Sequence, residues 1–235
     1  MTVIKHLIPS LLCGTLVLTA SAAPQEASAK VRIRAVLHDP MKPFVEMYVQ
    51  GDTGNLIRLN LAMEGLTKPQ IVSCPKSTLQ LYSSSTADPA KPLANLLASV
   101  AVPEGVKQAI IFIVPAGEND KAPYKLMVLH DAFDAFGKGE SRVINMTYLP
   151  LAITAGEHSK EIAPASIVTV PRVTKVNAMN QAQTVFYRKV DKEWVVLSER
   201  PMQFTNTLRN IFLIYLMPNV AEPQIRTLID TATGQ

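Results

Sequence analysis

Cysteine, histidine and tryptophan are scarce in this chain: 2 Cys, 4 His and 1 Trp in 235 residues. Each scarcity excludes a chemistry. Cys13 lies in an apolar N-terminal run, so Cys74 stands alone in the rest of the chain and no internal disulfide can form there. Its setting, Ile71-Val72-Ser73-Cys74-Pro75, reads as a strand end with a buried thiol and not as a nucleophile. Zinc-type sites need clustered His, Cys or carboxylate ligands, and the histidines are too few and too scattered for one. The sequence has no G-x-S-x-G elbow and no phosphate-cradling glycine motif. Charge is equally unremarkable. A net of +4 is spread without a basic stripe, which argues against nucleic acid as a partner. Pro (17) outnumbers Gly (10), which suits edge strands and loops and argues against long helices.

What is present begins with an export signal. Lys5 and His6 precede the nearly uncharged run Leu7 to Ala22, and Ala20-Ser21-Ala22 offers small residues to a signal peptidase. Cleavage is expected after Ala22 or Ala23, with Ala27-Ser28-Ala29 as a second site. Loss of Lys5 with the leader leaves a net charge of +3. The run falls short of the ~20 apolar residues that a membrane span needs. The longest later apolar run, Ile211 to Met217, is strand-sized, so no membrane span is expected in the mature chain.

The mature chain reads as short strands punctuated by Pro, Gly, Asn and Asp. Expected strands are Val31 to Leu37, Val45 to Val49, Leu56 to Leu61, Leu79 to Tyr82, Ala98 to Val102, Ala109 to Val114 and Tyr124 to His130. The order then repeats. Ile71 to Pro75 resembles Ile167 to Pro171, Leu81-Tyr82 resembles Phe186-Tyr187, Ile110 to Pro115 resembles Leu213 to Pro218, and Leu126 to Asp131 resembles Ile225 to Asp230. The Pro and Asp punctuation moves with the strands, which implies internal duplication. The fold expected is all-β, with two tandem antiparallel β-sandwich, immunoglobulin-like domains of about 100 residues and seven or so strands each. The boundaries read as signal peptide 1–22, N-terminal segment 23–30, first domain 31–132, linker 133–140 and second domain 141–235. Phe133 and Phe136 are expected to pin the linker against the domains. Ile211 to Met217 and Ala109 to Val114 are apolar on both faces, whereas a strand with one wet face alternates. Their equivalent positions in the repeat suggest a domain–domain contact.

Several junction and strand-end residues carry a resemblance. They are Asp131, Phe136-Gly137, Arg142-Val143-Ile144-Asn145-Met146-Thr147, Ala155-Gly156-Glu157, the aromatic strand Phe186 to Trp194 and the apolar strand Ile211 to Pro218. In these the chain resembles a group of exported, uncharacterised tandem β-domain proteins of Verrucomicrobia-type bacteria, although Phe136 stands where that group often has Pro. The resemblance implies the two-domain architecture and no catalytic residue.

Candidate sites are few. His38-Asp39 and His130-Asp131 both end strands, and an Asp capping a turn explains them better than a metal does. His158 lies in a polar turn and is expected to be solvated. Gly51 to Asn55 and Glu118-Asn119-Asp120 are the nearest approaches to a calcium loop, and both read as hairpin turns. Asn145-Met146-Thr147 fits a glycan acceptor but sits inside an expected strand. Arg188 to Trp194 reads as a charged hairpin with Asp191-Lys192 at its turn. The chain is therefore expected to be a non-catalytic binding or assembly module of the periplasm, cell surface or extracellular space, without a cofactor, meeting a protein or envelope-glycan partner. The contact surface would be the interdomain groove, the doubly apolar strands or a free strand edge. The alternative is a carbohydrate-binding module with Trp194 and Tyr187 as the ligand-stacking residues. A hydrolase built from scattered carboxylates is a third class, and it would need a cleft with two carboxylates of raised pKa.

Overall fold

The computed structural model describes residues 28–38, 46–62, 65–86, 95–117, 120–217 and 219–231; the expected leader lies outside them. Sixteen strands and one 3₁₀ turn, and no α-helix, occur among the described residues. None of these elements is a helix long and apolar enough to cross a membrane.

The first lobe contains β1 (Ala29–Leu37), β2 (Tyr48–Gln50), β3 (Leu56–Arg58), β4 (Gln70–Cys74), β5 (Thr78–Tyr82), β6 (Leu96–Ala101), β7 (Gln108–Pro115) and β8 (Tyr124–His130). The second contains β9 (Ser141–Asn145), β10 (Leu151–Ala155), β11 (His158–Ile162), β12 (Ser166–Val170), β13 (Gln181–Val190), β14 (Glu193–Gln203), β15 (Arg209–Tyr215) and β16 (Gln224–Asp230). In the first lobe an inner sheet has the order β4-β1-β7-β8 and an outer sheet β3-β2-β5-β6. In the second the orders are β12-β9-β15-β16 and β11-β10-β13-β14. Every strand thus has its counterpart eight places later. Each lobe has eight strands among the described residues, where the sequence suggested seven or so. One ladder per inner sheet is parallel, β1 with β7 and β9 with β15.

The four sheets stack as layers with three cores between them. Strand alternation assigns residues to each core. In β7, Ala109, Ile111 and Ile113 enter the first lobe's core, while Ile110 and Phe112 enter a central core. In β15, Phe212 and Ile214 enter the second lobe's core, while Ile211 and Leu213 enter the central one. The doubly apolar strands are buried on both faces because the sister lobe covers the second face.

The ladders also fix the correspondence between lobes. Ala109 faces His130 and Asn210 faces Ile229, each one residue before the aspartate that follows or ends its strand. Ile110 therefore corresponds to Ile211, Phe112 to Leu213 and Leu129 to Leu228; through β1 and β9, Arg34 corresponds to Arg142 and Val36 to Ile144. The eight strand residues of the central core are four such matched pairs, Val36/Ile144, Ile110/Ile211, Phe112/Leu213 and Leu129/Leu228. The seam is self-complementary in the manner of an isologous dimer interface, here within one chain.

The Ala155-Gly156-Glu157 turn joins β10 to β11. Gly156 has φ +54°, and a Cβ there would lie 2.5 Å from Val173 Cγ1. Left-handed backbone and overpacking act together, so Gly156→Ala is expected to destabilise the protein by roughly 1–3 kcal/mol. A loss of unfolding free energy in urea of less than a quarter of that would show that the turn relaxes freely.

Candidate functional site

Trp194 and Tyr187 sit on different strands, and the structure brings them to one place. The β13–β14 hairpin turns at Asp191-Lys192, with Asp191 in the left-handed region at φ +54°. Lys189 faces Trp194 across the ladder, and Tyr187 faces Val196. The register slips between Phe186 and Tyr187. Phe186 is fully buried, whereas Tyr187 points outward, half-buried. Across the outer sheet, Glu161, Ala152, Tyr187 and Val196 form one row. Ala152 is the small member, and a hollow of about 380 Å³ opens over it, lined by Thr154, Ser159, Lys160, Glu161, Tyr187 and Trp194. A second hollow of about 380 Å³ shares Glu161 and Trp194 and continues toward Pro150, Pro164 and Lys189. Trp194 lines both, with the Lys189 ammonium 5.3 Å from its ring centroid. Aromatic planes beside hydroxyl, carboxylate and ammonium groups can stack on an apolar face and hydrogen-bond its polar edge.

A larger hollow, about 710 Å³, lies across the lobe seam between Val114, Tyr124 and Met127 of the first lobe and Asn145, Met146 and Ala165 of the second. Several of its polar groups are engaged within the protein. Lys125 pairs with Asp120 at 2.8 Å, and Asp120 also accepts the Gly117 N–H at 2.7 Å. The Asn145 amide donates to Leu149 O at 2.8 Å and Ala163 O at 3.0 Å, while its oxygen accepts from Thr147. Asn145 is fully buried, which rules it out as a glycan acceptor in the folded chain.

A four-charge cluster, unread in the sequence, crosses the same seam. Arg34 donates to Asp131 through Nε (2.8 Å) and Nη2 (2.7 Å), and to Asp230 through Nη1 (2.8 Å) and Nη2 (2.9 Å). Arg209 donates from Nε to Asp230 at 2.9 Å, from Nη2 to Asp131 at 2.8 Å and again to Asp230, and from Nη1 to the Phe136 carbonyl at 3.0 Å. All four side chains are buried, Arg209 completely. Burial pushes the Asp230 carboxyl up, but the hydrogen bonds and charges of Arg34 and Arg209 outweigh it, and the net direction is down. Burial likewise pulls the Arg34 guanidinium down, and its bonds to Asp230 and Asp131 carry it above its ordinary value. Two cations matched to two anions at these distances form a structural lock and not a pair of catalytic acids. The Asp131 of the His130-Asp131 pair thus corrects the expectation of a turn cap: it faces two guanidinium groups.

The remaining candidates are structural. His38 is buried with its ring edge-on to Tyr215 at 4.0 Å, and Asp39 lies outside the described residues. His158 is held 3.1 Å from the Arg172 carbonyl at the start of β11, so it is only partly solvated, contrary to expectation. Burial pushes the Cys74 thiol up to about 11, which keeps it protonated and unreactive near neutrality. In the Gly51 to Asn55 turn, Asp52 pairs with Lys30 at 2.5 Å, and of the other calcium candidate only Asp120 is described. Among the described residues no group of three His, Cys, Asp or Glu side chains converges. Compared with known proteins, the chain matches no family model, and no curated protein matches it.

Proposed function

We propose that this protein is a non-catalytic exported binding module of the cell envelope, and that the hollow over Ala152 seats a saccharide ring between Tyr187 and Trp194. One observation carries this reading. Two aromatic residues from different strands wall a concave, ring-sized site whose rim supplies Thr154, Ser159, Lys160 and Glu161. The doubly apolar strands do not compete for the role, because each is covered by the sister lobe. The interlobe hollow has no aromatic pair, and its Asp120, Lys125 and Asn145 are engaged within the protein. The arrangement of carboxylates favours binding over hydrolysis, since Asp131 and Asp230 are locked to arginines.

A glycan array tests the proposal. Retention of neutral glycans by the wild type is expected, with a loss of about tenfold or more in affinity for Trp194→Ala, in line with truncation of an interface anchor. An array with no retained glycan overturns it. A protein partner is the second reading, favoured by β14. This 11-residue strand lies at a sheet edge and exposes Val195 and Val196, a surface open to strand addition. A partner captured from envelopes by wild type and Trp194→Ala alike selects that reading.

A further inference from the structure

The first lobe carries a modified copy of the same outer face. Its ladder β5–β6 slips between Leu81 and Tyr82, and the ladder β13–β14 slips between Phe186 and Tyr187. These are corresponding strands, and in each the residue before the slip is fully buried while the tyrosine after it faces outward. The extra residue sits on the partner strand, Leu97 in β6 and Leu197 in β14, while unbroken alternation along β5 and β13 turns Tyr82 and Tyr187 outward. Duplication has kept an outward tyrosine opposite a bulge in both lobes. The rows across the two sheets then match position by position: Arg58, Tyr48, Tyr82 and Leu96 in the first lobe, and Glu161, Ala152, Tyr187 and Val196 in the second.

The consequential difference is Tyr48 in place of Ala152. A small residue opens a hollow; here a second tyrosine stands directly opposite the first, and the two rings lean in opposite directions along the face, each toward the residue two before it. Side chains in such a directly opposed pair lie about 4.5–5.5 Å apart at Cβ. Both rings are half-buried, and both hydroxyls are tethered, Tyr48 to Glu46 at 3.2 Å and Tyr82 to Gln80 at 2.9 Å. Arg58 pairs with the same Glu46 at 3.0 Å, so the charges beside the rings are balanced. Tethered rings lose little freedom on binding, which favours stacking.

We infer that Tyr48 and Tyr82 form a second saccharide-stacking face, and that the molecule is a bivalent bridge between two glycan segments. The inference rests on the saccharide reading of the Tyr187–Trp194 site. The stacking order of the sheets supports bridging: both outer sheets face away from the seam, and two inner sheets separate them. A short oligosaccharide cannot touch both faces. The buried ion cluster and central core hold the two faces at a fixed orientation. The balanced charges beside the rings point to neutral glycans. Two weak sites on a rigid spacer gain avidity on a long chain that neither has alone.

The test is calorimetric titration of the full chain with cellohexaose, maltohexaose, mannohexaose and hexa-N-acetylchitohexaose. Two equivalents of at least one of them per protein are expected. Trp194→Ala and Tyr82→Ala should each remove one equivalent and leave the other, and the double variant should bind none. Tyr48→Thr, which keeps a strand former on the same face, should match Tyr82→Ala and covers the case in which the latter fails to fold. One equivalent, lost in Trp194→Ala and untouched in Tyr82→Ala and Tyr48→Thr, overturns the bridge and leaves the second-lobe site standing. No heat with any of the four sugars overturns the saccharide reading itself, and the bridge with it.

Discussion

Arg209→Met is expected to destabilise the protein by about 3–5 kcal/mol, because it leaves two buried carboxylates facing a single guanidinium. Arg209 is fully buried, and its guanidinium engages both Asp131 and Asp230 and the Phe136 carbonyl. The loss should be partly reversible by design. In the double variant Arg209→Met with Asp230→Leu, Arg34 and Asp131 remain as a two-bond fork at 2.8 and 2.7 Å. A matched pair replaced by apolar side chains is commonly near neutral, so the double variant should recover more than half the stability lost. Equilibrium urea denaturation measures both. A single variant within 1 kcal/mol of wild type would show that the cluster contributes little to the seam. The acid dependence follows in sign. The carboxyl of Asp230 is depressed below its ordinary 3.8 in the folded state, so it contributes stability that is complete above that value. That contribution is lost as the pH falls through the still lower folded value. The wild-type seam therefore persists through mild acid. In Arg209→Met, acid unfolding should begin at a higher pH, because one of the two guanidinium groups that hold the carboxyl down is gone.

The lobes were legible in the sequence because their strands alternate and their Pro and Asp punctuation repeats. The seam was legible too: Ile110 to Ile113 and Ile211 to Ile214 lack the polar alternation that a wet face requires. The register was harder to read. By sequence, Cys74 aligns with Val170 and Ile110 with Leu213, whereas the ladders align Gln70 with Val170 and Ile110 with Ile211. Both slips are even, so they leave every residue on its correct face, and apolar side chains of similar size carry no finer signal. The ion cluster escaped notice for a related reason. Arg32-Ile33-Arg34 alternates as a solvent-facing strand would, and Arg209 opens its strand where a charge commonly marks the end of a buried run. Only the recurrence of Asp131 and Asp230 at matched strand ends hinted at it. At the proposed site, Trp194 and Tyr187 could be read from the hairpin. Ala152 could not, because a small residue means an opening only when its cross-strand neighbours are known. Tyr82 is legible as the repeat match of Tyr187, but the bulge opposite it appears only in the ladder.

The linker should prove to be a structural plug rather than a tether, and Phe136→Ala is expected to lower stability by about 3–5 kcal/mol. Phe136 is fully buried in the central core, among residues from both lobes. Its ring lies 4.4 Å from the Arg209 guanidinium carbon and 5.0 Å from that of Arg142, so it separates two cations that would otherwise face each other across a void. Arg142 further donates to the Ala135 carbonyl, and Arg209 to that of Phe136, which ties the linker backbone to the second lobe. Truncation removes apolar contact, leaves a cavity and weakens the contacts of both arginines at once. Phe133, three residues earlier, is the control. It is 37% exposed, with the Lys138 ammonium 5.1 Å and the Arg209 guanidinium carbon 5.3 Å from its ring, so Phe133→Ala leaves no buried cavity and should change stability by only about 1 kcal/mol. Thermal and urea denaturation of the two variants side by side decide the matter. A large loss confined to Phe136→Ala identifies the linker as part of the welded seam. Equal small losses would mean that the lobes hold together without it, by the four matched pairs of the central core and the ion cluster.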